Sequence, residues 1–151
     1  VIHNISLPAG QFGAPFIDQL FQGCLDVAAD PSFCELEGLQ VSAHFLIRRD
    51  GELVQYVSCD DRAWHAGVSD YRGRSGCNDF AVGIELEGTD LVAYTDAQYA
   101  QLRQLTLALF EAYPMLSVDA IVGHCDIAPG RKTDPGESFD WSRYRQSLID
   151  S

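Results

Sequence analysis

Between positions 121 and 141 the chain reads IVGHCDIAPGRKTDPGESFDW, which sets His124, Lys132 and Asp134 close together in a stretch rich in Pro and Gly. Polar groups buried in such a loop cost free energy unless something satisfies them. A second imidazole, His3, lies in VIHNI at the opposite end of the chain. Two imidazoles and one carboxylate can hold zinc with one coordination position left open for water, the arrangement of a catalytic rather than a closed structural site. Water on such an ion ionises near neutrality. Hydrolysis then needs a base and a cation. On GIELEG, Glu85 and Glu87 alternate onto one strand face, and spacing does not choose between them as the base. Lys132, two residues before Asp134, points the same way in an extended loop and could hold an oxyanion by charge.

Each of these residues also has an ordinary structural reading. A His at a strand end is commonly a hydrogen-bonded structural group. Glu85 or Glu87 alone would be a solvated strand face, Lys132 alone a surface lysine, and Asp134 alone a turn-former before Pro135. Cys125 is adjacent to His124, so it points away from whatever His124 touches and reads as a core thiol. The combination suggests a metal site, and no single member does.

The fold must therefore join groups from opposite ends of the chain. VIHNI predicts a buried strand ending at His3 and Asn4, and SVDAIVGH a second one ending at His124. Ligands bind beyond strand ends in open sheets, so neighbouring strands would let both imidazoles converge. Pro129 and Gly130 could then fold the following loop back to bring in Asp134. PFIDQLFQ predicts a short helix with Pro15 in its first turn and Phe16, Leu20 and Phe21 as its apolar face; residues 23–41 read as irregular. HFLIRRDGELVQYV predicts a hairpin turning at Asp50 and Gly51, with strands near 43–48 and 53–57. Residues 58–79 form a polar, Gly-rich loop of a length that is usually functional inside a compact domain. FAVGIELEG follows as a strand. TDAQYAQLRQLTLALFEAYP predicts a helix opened by a Thr95/Gln98 capping box, with Tyr99, Leu102, Leu105, Leu109 and Tyr113 on its core face. FDWSRYRQSLI closes the chain as a helix.

At 151 residues the chain suits one domain, and 46% apolar with 21% charged residues is a globular composition. No stretch approaches the roughly 20 apolar residues of a membrane span, and no signal-like segment opens the chain. A net charge of −12 repels phosphate backbones and argues against nucleic acid as a partner. Five cysteines, an odd number with no CxxC spacing, favour a reducing compartment. Val1 and Ile2 read as mid-strand with no polar lead-in, which suggests a truncated N-terminus.

The segments VIHNISLP, VSAHFLIRRDGELVQYVSCDDRAWHAGVS, CNDFAVGIELEGTD and GHCDIAPGRKTDPG, the last followed by FDW, carry a family resemblance. In this order, over nearly the whole chain, they resemble the zinc N-acetylmuramoyl-L-alanine amidases, most closely the AmpD-type branch of cytoplasmic cell-wall recycling. The resemblance implies an α/β fold, a mixed central β-sheet flanked by helices, shared with phage amidases and peptidoglycan recognition proteins. It implies that His3, His124 and Asp134 bind Zn2+, that Glu85 rather than Glu87 is the base, and that Lys132 steadies the oxyanion. It makes His44 structural and places Asn4, Trp64 and His65 along the substrate cleft. The implied substrate is a soluble anhydro-muropeptide, cut between muramic acid and L-alanine in the cytoplasm; beside it, charge and hydropathy predict no nucleic-acid or membrane partner, and a monomer is expected.

Two alternatives stand beside this reading: a non-catalytic peptidoglycan-binding module, and an extracellular or phage-type amidase acting on intact murein. The complete residue set argues against the first, and the cysteine count and lack of a wall-binding repeat against the second. Some relatives of phage or recognition type carry Cys where this chain has Asp134, and an aspartate favours a stronger Lewis acid. Gly76 and Gln40 stand where family members carry Arg; if those arginines anchor substrate carboxylates, Arg72 or Arg74 substitutes here or affinity falls.

Overall fold

The computed structural model describes residues 1–150. At its centre is a four-stranded sheet with strands β1 (Ile2–Ile5), β2 (Phe45–Ile47), β3 (Leu53–Gln55) and β6 (Ile84–Glu87) in the order β1-β6-β2-β3. β6 runs parallel to both β1 and β2, while β3 pairs antiparallel with β2, so the sheet is mixed. Helices α1 (Phe16–Phe21), α2 (Asp96–Ala112), α3 (His124–Ile127) and α4 (Trp141–Ile149) flank it. Among the described residues no helix is long and apolar enough to cross a membrane.

Strand alternation divides the two faces of the sheet. Ile2, Phe45, Ile47, Ile84 and Leu86 point to one face, where they form a core with Leu102 and Leu105 of α2 and Tyr144 and Leu148 of α4. The intervening residues His3, Leu46, Glu85 and Glu87 fall on the other face and are equally buried. His3 pairs with Glu85, and Glu85 with Leu46, across the parallel ladder. Register is therefore the first determinant of the site, because a one-residue slip would turn His3 and Glu85 into the helix-covered core.

The local signals place several elements as the sequence predicts. Thr95 and Gln98 make a reciprocal capping box at α2, and Tyr99, Leu102 and Leu105 are buried along its length. The hairpin between β2 and β3 turns through Gly51, which alone in that turn takes a positive φ, of 89°. Other elements differ. SVDAIVGH is not a strand: residues Val118–Ala120 form a 3-10 turn, and contact with β1 is a single parallel bridge between Ile2 and Gly123. Asp126 then accepts from the Gly123 amide at 2.8 Å and starts α3 at His124, so the chain coils before a ladder can extend. His3 lies within β1 and not at its end. Pro15 precedes α1, whose buried residues are Ile17 and Leu20. The 58–79 segment holds a two-stranded hairpin of β4 (Asp70–Tyr71) and β5 (Arg74–Ser75) and a 3-10 turn at Cys77–Asp79. Residues 23–41 carry two more 3-10 turns, started by the side chains of Asp26 and Asp30.

Candidate metal centre and active site

Three parts of the chain deliver three potential ligands to one point. β1 supplies His3, the first turn of α3 supplies His124, and the loop beyond it supplies Asp134. The close approach of α3 depends on Gly123, where a Cβ would stand 2.9 Å from Cδ of Pro135. The loop is tied down at several places: Cys125 N–H donates to the Asp134 carbonyl at 3.0 Å, Tyr94 Oη to the Pro135 carbonyl at 2.7 Å, and Thr133 Oγ1 to Asp90. Cys125 is half-buried and takes part through its backbone.

The ring nitrogens define what the cluster needs. His3 Nδ1 and His124 Nδ1 are 2.9 Å apart, and an Asp134 carboxylate oxygen lies 3.3 Å from each. The far nitrogens fix the tautomers, as assigned from the hydrogen-bond network. His124 Nε2 faces the Ala66 carbonyl at 2.9 Å, so it carries the proton. His65 Nε2 faces the Ala81 carbonyl at 3.0 Å and is likewise a donor, which leaves His65 Nδ1 to accept from His3 Nε2 at 2.9 Å. With the proton on Nε2, His3 and His124 therefore both turn bare Nδ1 lone pairs toward each other and toward a carboxylate. Three electron-pair donors with no proton among them fit a cation, and a d10 ion such as zinc accepts this N, N, O set.

The electrostatics agree. Burial lowers the pKa of His3 to about 4, against the opposing pull of Asp134, so the ring is neutral and free to coordinate at neutral pH. Burial works against the charged form of Asp134, and with no proton on either Nδ1 facing it, a cation held between them would offset that penalty. Beside them, Glu85 Oε1 is 4.0 Å from His3 Nδ1, and Glu85 Oε2 is buried with no hydrogen-bond partner. Desolvation, and then the charge of Asp134, push the Glu85 pKa well above its ordinary value, while Lys132 pulls the other way. Lys132 itself is exposed at the mouth of the loop, within electrostatic reach of Glu85.

The other anticipated residues are distributed differently. Trp64 is 55% exposed, with the Arg62 guanidinium stacked 4.0 Å over its ring, and it remains available as a cleft wall. Asn4 spends its side-chain amide on Asp90 Oδ1 at 2.7 Å and Tyr94 Oη at 3.1 Å, holding the Asp134 loop in place of facing an open cleft. His65 is turned inward against His3, with both ring nitrogens occupied, so it has no polar atom left for a substrate. His44 is structural, its ring bridging the Gly83 amide and the Asp61 carbonyl. Arg72 donates to the Asp119 carbonyl and Arg74 stacks on Phe80. The sequence reading missed the Ala66 and Ala81 carbonyls, which carry no side-chain signal, and Asn78, whose Oδ1 accepts from the amides of His65 and Ala66 at 2.9 and 2.8 Å.

Comparison with known proteins agrees with this geometry. Residues 1–137 match the family model described as N-acetylmuramoyl-L-alanine amidase. The 1,6-anhydro-N-acetylmuramyl-L-alanine amidase AmpD of Escherichia coli K12 is 64% identical over 145 residues, covering 96% of this chain and 79% of that protein. A crystal structure of a Se-Met AmpD derivative superposes with a TM-score of 0.95 at 62% identity, covering 98% of this chain and 82% of the other. The E. coli amidase AmiD, solved with the substrate anhydro-N-acetylmuramic acid-L-Ala-D-gamma-Glu-L-Lys, superposes with a TM-score of 0.69 at 30% identity, covering 97% of this chain and 55% of that one. With family match, sequence identity and backbone all agreeing over nearly the whole length, the chain belongs to the N-acetylmuramoyl-L-alanine amidase family.

Proposed function

We propose that residues 1–151 form a single, monomeric amidase domain that binds Zn2+ through His3, His124 and Asp134. It hydrolyses the amide between the lactyl group of 1,6-anhydro-N-acetylmuramic acid and L-alanine in soluble muropeptides, as a step of cytoplasmic cell-wall recycling. The observation that carries this reading is the buried Glu85 carboxylate, with one oxygen unpartnered, set beside three converging ligand atoms. A binding module needs no such group, because a buried unpaired carboxylate is costly and gives nothing to affinity for a glycan. The AmpD relatives named for the anhydro-muramyl amide and the AmiD complex with an anhydro-muramyl peptide support the substrate class.

Held by His3, His124 and Asp134, a zinc ion would supply Lewis acidity to the amide carbonyl and to the attacking water. Glu85 takes the proton of the attacking water on its unpartnered oxygen and delivers it to the departing alanine nitrogen, acting first as base and then as acid. Its burial suits both roles, since a raised pKa brings the carboxyl closer to the working pH. Lys132 offsets the oxyanion charge from the solvent side. His65 and the Ala66 carbonyl keep the two imidazoles aimed, and Trp64 gives the sugar or peptide an apolar wall.

The test is release of stem peptide from a purified anhydro-muropeptide, followed by mass spectrometry with Zn2+ and with a chelator. Chelator-sensitive release is the expected result. A Zn2+-loaded protein that binds the muropeptide without cleaving it would make this a binding module. Faster release from intact sacculi than from the soluble muropeptide would reassign it to wall degradation.

A further inference from the structure

Both imidazole ligands lean on the same two-residue segment. His3 Nε2 donates to the ring of His65, and His124 Nε2 donates to the carbonyl of Ala66, the next residue. That segment lies in a loop between β3 and β4, where no ladder of its own fixes its height or rotation. Its two amides share one acceptor: Asn78 Oδ1 accepts from both His65 N–H, at 2.9 Å, and Ala66 N–H, at 2.8 Å. Asn78 is itself buried in the 3-10 turn Cys77–Asp79, next to the fully buried Cys77. Two further features confine the pair. A Cβ at Gly83 would stand 2.5 Å from Cγ of His65, so the ring lies directly on the backbone just before β6. Arg131 donates to the Ala66 carbonyl at 2.6 Å, using the lone pair that His124 leaves.

We propose that Asn78 is a positioning residue for the metal centre: by clamping the His65 and Ala66 amides it keeps the proton on Nε2 of both His3 and His124 and both Nδ1 lone pairs aimed at the ion. The inference rests on the metal reading above. Its physical basis is tautomer choice. A neutral imidazole whose Nε2–H loses its acceptor is free to carry its proton on Nδ1, where it blocks coordination. Groups that orient metal-bound histidines in this way typically affect metal affinity by about 10- to 100-fold. Asn78 acts on both ligands at once through a single acceptor atom.

The experiment compares Zn2+ affinity, by competition with a chromogenic chelator, in the wild type, Asn78→Leu, Asn78→Asp and Ser69→Ala. Asn78→Leu keeps the shape and removes the acceptor, and should weaken binding about 10- to 100-fold. Asn78→Asp keeps an acceptor oxygen and should restore binding toward the wild-type value. Ser69→Ala removes another hydrogen bond between the same two segments, the 3.1 Å contact of Ser69 Oγ with Cys77 N, and should lower Tm while sparing affinity. Imidazole 15N shifts of the metal-free wild type should show His3 and His124 as Nε2–H tautomers. Wild-type affinity in Asn78→Leu, an equal loss in Ser69→Ala, or an Nδ1–H tautomer on either ring in the wild type overturns the inference alone. A wild type that takes up no Zn2+ overturns the metal reading and this inference together. The tautomer measurement needs no variant, so the inference stays testable if Asn78→Leu does not fold.

Discussion

Glu85 and Glu87 sit two residues apart on one strand and one face, at 8% and 2% exposure, yet they have opposite surroundings. Glu87 has a partner on each oxygen: one accepts from Arg49 N–H at 3.1 Å and the other from Gly13 N–H at 2.9 Å. It straps the loop before α1 and the β2–β3 turn onto the sheet. Glu85 has no such straps; one oxygen is unpartnered, and the ligand cluster lies beside it. A buried carboxylate with a backbone donor on each oxygen is structural, because neither oxygen is left without a partner. One left unserved is poised to accept a proton, and its cost is tolerated where chemistry uses it.

The contrast can be tested in descending order of effect. Removing the ion with a chelator should abolish turnover and leave the Glu87 end folded, as read by muropeptide release and circular dichroism. Glu85→Gln should cost about 10²–10⁴-fold in kcat while Zn2+ content by elemental analysis stays at the wild-type level. Lys132→Met, on the same side of the site, should lose about 10²–10³-fold in kcat with little change in metal content, if its charge steadies the transition state. Glu87→Ala should reverse the pattern: kcat per folded molecule is kept, but stability falls by about 2–3 kcal/mol as two backbone amides lose their acceptor, seen in urea denaturation. A kcat loss in Glu87→Ala as deep as that of Glu85→Gln would erase the distinction.

The smallest effect is a matter of pH. The folded state raises the Glu85 pKa above its unfolded value near 4.5, so it binds that proton more tightly than the unfolded chain does. The resulting contribution is full below pH 4.5 and is lost as pH rises through the raised value. In metal-free protein, Glu85→Gln should remove this loss, so its Tm advantage over wild type grows as pH rises. An advantage that stays constant from pH 4 to 8 would show that the carboxyl does not titrate as its burial requires.

How far the sequence carried these conclusions depended on the range of the forces involved. The β2–β3 hairpin and α2 were legible because Gly51 and the Thr95/Gln98 box act within a few residues. His3, His124 and Asp134 were legible as candidates by type, and the structure brings them together, but their convergence depends on strand register. The strand expected at 117–124 fails because apolar residues that are buried need not be laddered, and only Gly123 bridges to β1. The contrast between Glu85 and Glu87 was invisible to spacing, since alternation treats them alike and only the distant Gly13 and Arg49 amides separate them. His65 read as part of an open cleft because local sequence does not report that a ring is pressed against Gly83 and bonded to His3.

The two facing imidazoles come from positions 121 residues apart. The proposed ion between them would therefore also be a cross-link, clasping the first strand to the last third of the chain. Closing so long a loop is entropically expensive for a flexible polymer, and occupancy of the site weights the ensemble toward the closed form. If the site holds the proposed ion, metal supply would govern how long the molecule survives heat or proteases as well as how fast it turns over, and starvation for the ion would withdraw the enzyme from the cell as well as silence it.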